Sequence, residues 1–166
     1  MNHREREFVQ LVTLHQGIIH KVCSMYAADR DERKDLFQEI VLQLWRAFDS
    51  FEGRSKVSTW MYRVALNTAI SRLRSARRRP QPDELSELAM GLPAPEPDPD
   101  LAEKRQALYR AIEQLSEVEK AVVMLYLEEH SYEEISDIIG ITVNHVGVML
   151  NRIKGKLKKI MVPLFT

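Results

Sequence analysis

The sequence predicts an all-α protein of two small helical domains joined by a flexible, acidic, proline-rich linker, the second domain ending in a helix-turn-helix. Apolar residues recur at helical spacing at both ends of the chain, and no strand-like alternation of useful length appears. Between them, Pro80–Glu103 holds six of the seven prolines and seven acids, Asp83, Glu84, Glu87, Glu96, Asp98, Asp100 and Glu103, without a single base. Proline blocks helix interiors and like charges keep a chain extended, so a packed core is not expected there, beyond a short helical turn at Leu85–Leu92. The division is therefore residues 1–79, linker 80–103 and residues 104–166.

In the first domain Phe8, Leu11, Val12, Ile18, Ile19, Val22 and Tyr26 form one helical stripe. A second helix is expected after Asp31, with Phe37, Ile40, Val41, Leu44 and Phe48 on its inner side. A polar loop over 49–56, containing Gly53, leads to Ser58, a candidate N-cap for a long third helix running to about Arg79. The second domain opens with a helix through Lys104–Leu115 and continues with one through Glu117–Glu128. Ser131 and Glu134 then have capping-box spacing ahead of Ile135, Ile138 and Ile139. Gly140 breaks that helix and Thr142 can cap the last one, which spells a helix-turn-helix.

The 166 residues carry no net charge, which would ordinarily argue against a polyanion partner, but the charges are segregated. Ser71–Arg79 holds five arginines and no acid, and Asn144–Thr166 holds five basic residues and no acid. Two basic surfaces thus flank an acidic connector. The single cysteine, Cys23, has no internal disulfide partner, the first residues lack an apolar signal core, and no apolar run approaches membrane-spanning length. A cytoplasmic protein without membrane insertion is expected. His3, His15, His20, His130 and His145 form no metal-ligand pattern and no phosphate-cradling glycine loop is present, so no cofactor, metal or catalytic group is expected.

Three faces remain after the cores are assigned. On the third helix Trp60, Arg63, Asn67, Ser71, Arg74 and Arg78 lie opposite Met61, Ala65, Leu66, Ala69, Ile70 and Leu73. An aromatic ring above guanidinium and amide groups suits a nucleic-acid strand; the plainer reading is a solvated basic face with a buried tryptophan. On the second helix Asp35, Gln38, Glu39, Leu42 and Arg46 form an acidic, amide-bearing stripe. By spacing alone this is an ordinary solvated face, although its chemistry would also serve charge-assisted docking on a protein. On the last helix Val146, Leu150, Ile153 and Leu157 point inward, leaving Asn144, His145, Val148, Arg152, Lys156 and Lys159 for a DNA groove.

In this order the pieces resemble an extracytoplasmic-function sigma factor of bacterial RNA polymerase over nearly the whole chain. Asp35-Leu36-Phe37-Gln38-Glu39 with Trp45 is similar to the family's polymerase-binding segment, which meets the clamp coiled coil of the largest polymerase subunit. Ser58-Thr59-Trp60-Met61-Tyr62-Arg63 with Asn67 resembles the melting and minus-ten segment. Leu125-Tyr126, Ser131-Tyr132-Glu133-Glu134-Ile135 and Gly140-Ile141 resemble the minus-thirty-five domain. The resemblance implies an initiation factor, not an enzyme, with core RNA polymerase and promoter DNA as partners, control by an anti-sigma factor, and a monomeric free state.

On this reading Asp35, Leu36, Gln38, Glu39, Leu42 and Trp45 bind polymerase. Phe51, Arg54, Lys56, Ser58, Thr59, Trp60, Arg63, Asn67, Ser71, Arg74 and Arg78 bind the minus-ten DNA, and Thr142, Asn144, His145, Val148, Arg152 and Lys156 bind the minus-thirty-five DNA. Gly147 and Met149 stand where the family often has basic residues, which shifts phosphate contact towards Arg152, Lys154 and Lys156. Gly147 costs about 1 kcal/mol of helix propensity relative to alanine and points to close backbone approach or to lineage drift. The linker extends to at most about 80 Å at 3.3–3.6 Å per residue, enough for two separated DNA elements, and its acids are expected to compete with DNA for the arginine cluster in the free protein. A free-standing helix-turn-helix regulator is the main alternative, expected to dimerise on palindromic sites and to need no acidic docking stripe.

Overall fold

A computed structural model describes residues 1–53, 55–77 and 99–165 of the chain. It contains α1 (His3–Leu14), α2 (Gln16–Tyr26), α3 (Arg30–Ala47), a 3-10 turn (Phe48–Ser50), α4 (Val57–Arg77), α5 (Pro99–Glu113), α6 (Glu117–Leu127), α7 (Tyr132–Ile139) and α8 (Val143–Phe165). The chain divides into two compact units, Met1–Gly91 and Leu92–Thr166. The body of the acidic segment, with its expected turn at Leu85–Leu92 and its competition with the arginine cluster, lies outside the described residues. Its last part does not remain linker, because α5 begins at Pro99. Proline is tolerated at a first helical position, where its missing N–H has no intrahelical acceptor to lose.

The first unit packs α2, α3 and α4 around Ile19, Val22, Leu36, Ile40, Leu44, Met61 and Ala65, all 2 % exposed or less. Full burial of each large aliphatic side chain is worth about 1.5–3 kcal/mol relative to exposure. The apolar run expected as one stripe is two helices. α1 is closed by an Asn2–Glu5 capping box, ends at His15 and buries Phe8, and α2 carries the inner face from there. α3 starts earlier than expected because Asp29, rather than Asp31, caps it. The Asp29 carboxylate accepts from the Glu32 amide at 2.8 Å, and Glu32 in return accepts from the Ala28 amide at 3.1 Å.

Cys23 is buried in this core, and desolvation raises its thiol from 9.0 to about 11 despite the opposing charges of Arg72 and Arg33. Thiolate is the reacting species, so alkylation of the native chain at pH 8 is expected to run at least about 100-fold slower than in denaturant. Iodoacetamide labelling followed by mass spectrometry measures this. The unfolded chain ionises the thiol first, so its stabilising contribution is whole below about 9 and is lost as pH rises towards about 11.

The second unit has its own core of Ala111, Ile112, Ala121, Val122, Leu125, Ile135, Val146, Leu150 and Ile153. Ser116–Glu119 and Ser131–Glu134 each form a reciprocal capping box, so α6 and α7 start where the chemistry of the sequence places them. Gly140 ends α7 in the left-handed region at φ 84°, which an L side chain adopts only with strain. Thr142 then opens α8, its hydroxyl accepting from the His145 amide at 3.1 Å. The α7–turn–α8 arrangement is the helix-turn-helix expected from these residues.

Candidate nucleic-acid interface

α4 presents Arg63, Asn67, Ser71 and Arg74 to solvent in one row, as helical spacing requires. The ring at the head of that row is not open. Trp60 is 7 % exposed, with the Phe51 ring stacked against it at 4.7 Å and an interplanar angle of 27°. Helical geometry alone places Trp60 on the outer face. Burial follows because the segment after the 3-10 turn folds back over the start of α4, and no helical periodicity reports a loop.

Thr59 is likewise buried, and Ser58 is half-buried inside the first turn rather than at the cap, since the Lys56 carbonyl already accepts from the Trp60 amide at 3.1 Å. Of the remaining candidates here, Lys56 is exposed and Phe51 half-exposed, while Arg54 and Arg78 lie outside the described residues.

The acidic stripe of α3 forms, but one of the polymerase-binding candidates is not on that surface. Asp35, Gln38 and Leu42 are exposed and Glu39 is half-exposed, but Leu36 is only 2 % exposed and belongs to the core. Leu36, Ile40 and Leu44 make the i, i+4, i+8 line that packs inward, with Phe37 and Val41 at its margin. Leu36 therefore supports the stripe from behind and offers no side chain to a partner.

Trp45 is half-buried against α1, with the Phe8 ring at 5.0 Å edge-on and the Arg4 guanidinium 4.8 Å above its ring. Arg72 of α4, absent from the sequence-based candidates, donates to Glu39 at 3.3 Å and lies 4.0 Å from Asp35. The acidic face of one helix is thus tied to the basic helix beside it. Residues so far apart in the chain leave no local signal of such a pairing.

At the helix-turn-helix, Thr142, Asn144, His145, Val148 and Arg152 are all exposed. Lys156 is exposed as well, but its ammonium donates to both Glu119 oxygens, at 2.9 and 2.8 Å. Burial pulls the Glu119 carboxyl upward, yet the bonds from Lys156 and Ser116 outweigh it and hold the group below the usual carboxylate range. Lys156 closes α8 onto α6 and is not a free cation. Lys154 lies 5.0 Å over the Tyr126 ring. Arg152 and Lys159 consequently carry the charge left for phosphate among the candidates on this helix.

A Cβ built on Gly147 would stand 3.6 Å from Tyr132 Cε2, an ordinary contact, so no packing among the described residues requires glycine there. Gly147→Ala is expected to stabilise the second unit by about 0.5–1 kcal/mol, measured as a raised midpoint in urea unfolding.

The Sigma-70 region 2 family matches residues 11–79 and the Sigma-70 region 4 family matches residues 105–157. The ECF RNA polymerase sigma-E factor of Escherichia coli K12 is 30% identical over 171 aligned residues, covering 96% of this chain and 89% of that protein. The ECF RNA polymerase sigma factor SigG of Mycobacterium tuberculosis is 27% identical over 168 residues, covering 83% of this chain. The chain spans only 44% of the length of SigG.

Among solved structures, the sigma factor RpoE in complex with the anti-sigma factor NepR from Bartonella quintana has a TM-score of 0.71 at 21% identity, covering 94% of this chain and 97% of that one. CnrH in complex with the cytosolic domain of CnrY has a TM-score of 0.65 at 20% identity, covering 96% and 90%. These two likenesses establish the shared fold.

Proposed function

The chain belongs to the extracytoplasmic-function group of RNA polymerase sigma factors, and from that premise we propose that it is a transcription initiation factor that brings core polymerase to promoters and opens the DNA there. The observation that carries the reading is the exposed row Arg63, Asn67, Ser71 and Arg74 on one unit, paired with exposed Asn144, His145 and Arg152 at the head of a helix-turn-helix on the other. Two DNA-facing surfaces on separately cored units match two promoter elements.

In this mechanism residues 1–79 dock on polymerase through Asp35, Gln38, Glu39 and Leu42 and hold an unpaired strand along α4. The second unit, from the start of α5 at Pro99, reads duplex upstream through α8, and the stretch before it connects the two. The protein acts by binding and performs no covalent chemistry. Unstacking a base costs a few kcal/mol, offset by stacking and by phosphate contacts to the arginines. No helix among the described residues is long and apolar enough to cross a membrane, and the proposed place of action is the cytoplasm, as a monomer before polymerase binds. Both solved relatives are held by a protein partner, one of them named an anti-sigma factor, and control of this chain by an anti-sigma factor is part of the proposal.

Co-elution with bacterial core polymerase tests the reading. The chain should join polymerase and retain duplex promoter fragments only in that complex, whereas a dimer binding palindromic duplex alone would indicate a free-standing regulator. A finer expectation concerns salt. Arg152→Ala should lower the slope of log affinity against log salt by about 0.9, the value for one lost phosphate contact, while Lys156→Ala should leave it unchanged because Glu119 holds that charge.

A further inference from the structure

Asp35 and Glu39 stand one turn apart on α3, each the chain neighbour of a buried core residue, Leu36 and Ile40. The core fixes the backbone that carries the two carboxylates and leaves the side chains themselves in water, 67 % and 44 % exposed. Like charges at i and i+4 repel, so an unassisted pair spreads apart and samples several rotamers.

Arg72 of α4 stands against both. One terminal nitrogen of its guanidinium donates to Glu39 Oε2 at 3.3 Å, and the other is 4.0 Å from Asp35 Oδ2. A single rigid, planar fork thus faces two carboxylates at once, a geometry that the compact ammonium of lysine does not reproduce. The arginine is itself anchored, because its side chain is two-thirds buried on a helix whose Ala65, Leu66 and Ala69 are in the core. Among the described residues the bond engages one oxygen of Glu39. A carboxylate has about four lone-pair sites, so both groups keep the capacity to accept from a partner.

We propose that Arg72 is a positioning residue for polymerase docking: it offsets the repulsion between Asp35 and Glu39 and holds both carboxylates on one side of α3, ready to accept from cationic donors of polymerase. This rests on the reading of the α3 stripe as the docking surface. Arg72 acts through the two carboxylates without itself touching polymerase. Holding such side chains before association removes an ordering cost that would otherwise appear as roughly a twofold to tenfold loss of affinity.

A mask would have the opposite sign. If the guanidinium merely competed with polymerase, its removal would leave a more acidic, unoccupied surface and binding would tighten. The exposure of both carboxylates favours positioning, since a mask has to cover what it blocks.

The test is fluorescence anisotropy of the full chain, labelled at its N-terminus and titrated with bacterial core polymerase in the absence of DNA. Arg72→Met keeps an apolar stem and removes the fork, and it should weaken binding roughly twofold to tenfold. Arg72→Lys keeps the charge and should recover part of that loss. In a chain carrying Asp35→Asn and Glu39→Gln there are no carboxylates to hold, so Arg72→Met should cause no further loss. If the methionine variant does not fold, Arg72→Gln replaces it in both backgrounds with the same expected result.

Tighter binding, unchanged binding, or a lysine variant that recovers nothing overturns the proposal. An equal loss in both backgrounds also overturns it, because Arg72 would then act on the fold or touch polymerase directly. The underlying reading fails separately. If Asp35→Asn with Glu39→Gln binds polymerase as well as the parent does, the α3 stripe is not the docking surface. If that pair weakens binding and Arg72→Met does not, only the positioning role fails.

Discussion

Alanine at both Asp35 and Glu39 is expected to weaken binding to core polymerase by one to two orders of magnitude while leaving the first unit folded. A hydrogen bond to a charged group contributes about 1.5–3 kcal/mol and every 1.4 kcal/mol is tenfold in affinity; solvent screening of two partly exposed carboxylates holds their joint contribution to about that of one such bond, which gives this range. Asp35 is two-thirds exposed and Glu39 nearly half, so neither supports the core. Their links to Arg72 are partly exposed ion pairs of the kind that adds at most about 1 kcal/mol to stability. Circular dichroism should therefore show an intact fold, while fluorescence anisotropy of the labelled chain against polymerase shows the loss. Unchanged affinity would make the α3 stripe an ordinary solvated face. Leu36 is the contrasting case, because its truncation would disturb docking only by disturbing the core behind it.

Leu150→Ala should cost the second unit about 2–5 kcal/mol, the usual cost of a cavity left by a buried leucine. Leu150 is 1 % exposed and lies between the helix-turn-helix and the rest of that unit's core, beside Val146 and Ile153. A small domain has only about 5–15 kcal/mol of stability, often less at this size, so much of it would be lost. Upstream duplex recognition should fall with it, while the backbone NMR signals of α2, α3 and α4 stay in place. Urea unfolding followed by NMR resolves the two units. Retained stability of α7 and α8 in this variant would contradict the packing described.

The helix-turn-helix was legible because its signals are local and chemical. Ser131 and Glu134 cap each other across three residues, Gly140 supplies the left-handed turn and Thr142 caps the next helix, each needing nothing beyond its neighbours. The break at His15 had only a weak signal, Gly17 two residues on, and the apolar spacing continues across it. The choice of Leu36 over Phe37 as the most buried residue turns on a rotation of about one residue, which the approach of α4 decides and periodicity does not.

Burial of Trp60 depends on a loop folding back. The capture of Lys156 by Glu119 and of Glu39 by Arg72 joins residues more than thirty positions apart. What sequence alone could not rank was therefore which outward-facing groups are already engaged within the chain.

The most direct test is in vitro transcription with purified bacterial core polymerase, the intact chain and a genomic promoter library. The account predicts discrete transcripts that require the chain, that are lost with alanine at Asp35 and Glu39, and whose start sites share two upstream elements. A folded chain that neither binds a matched core polymerase nor yields any such transcript would contradict it.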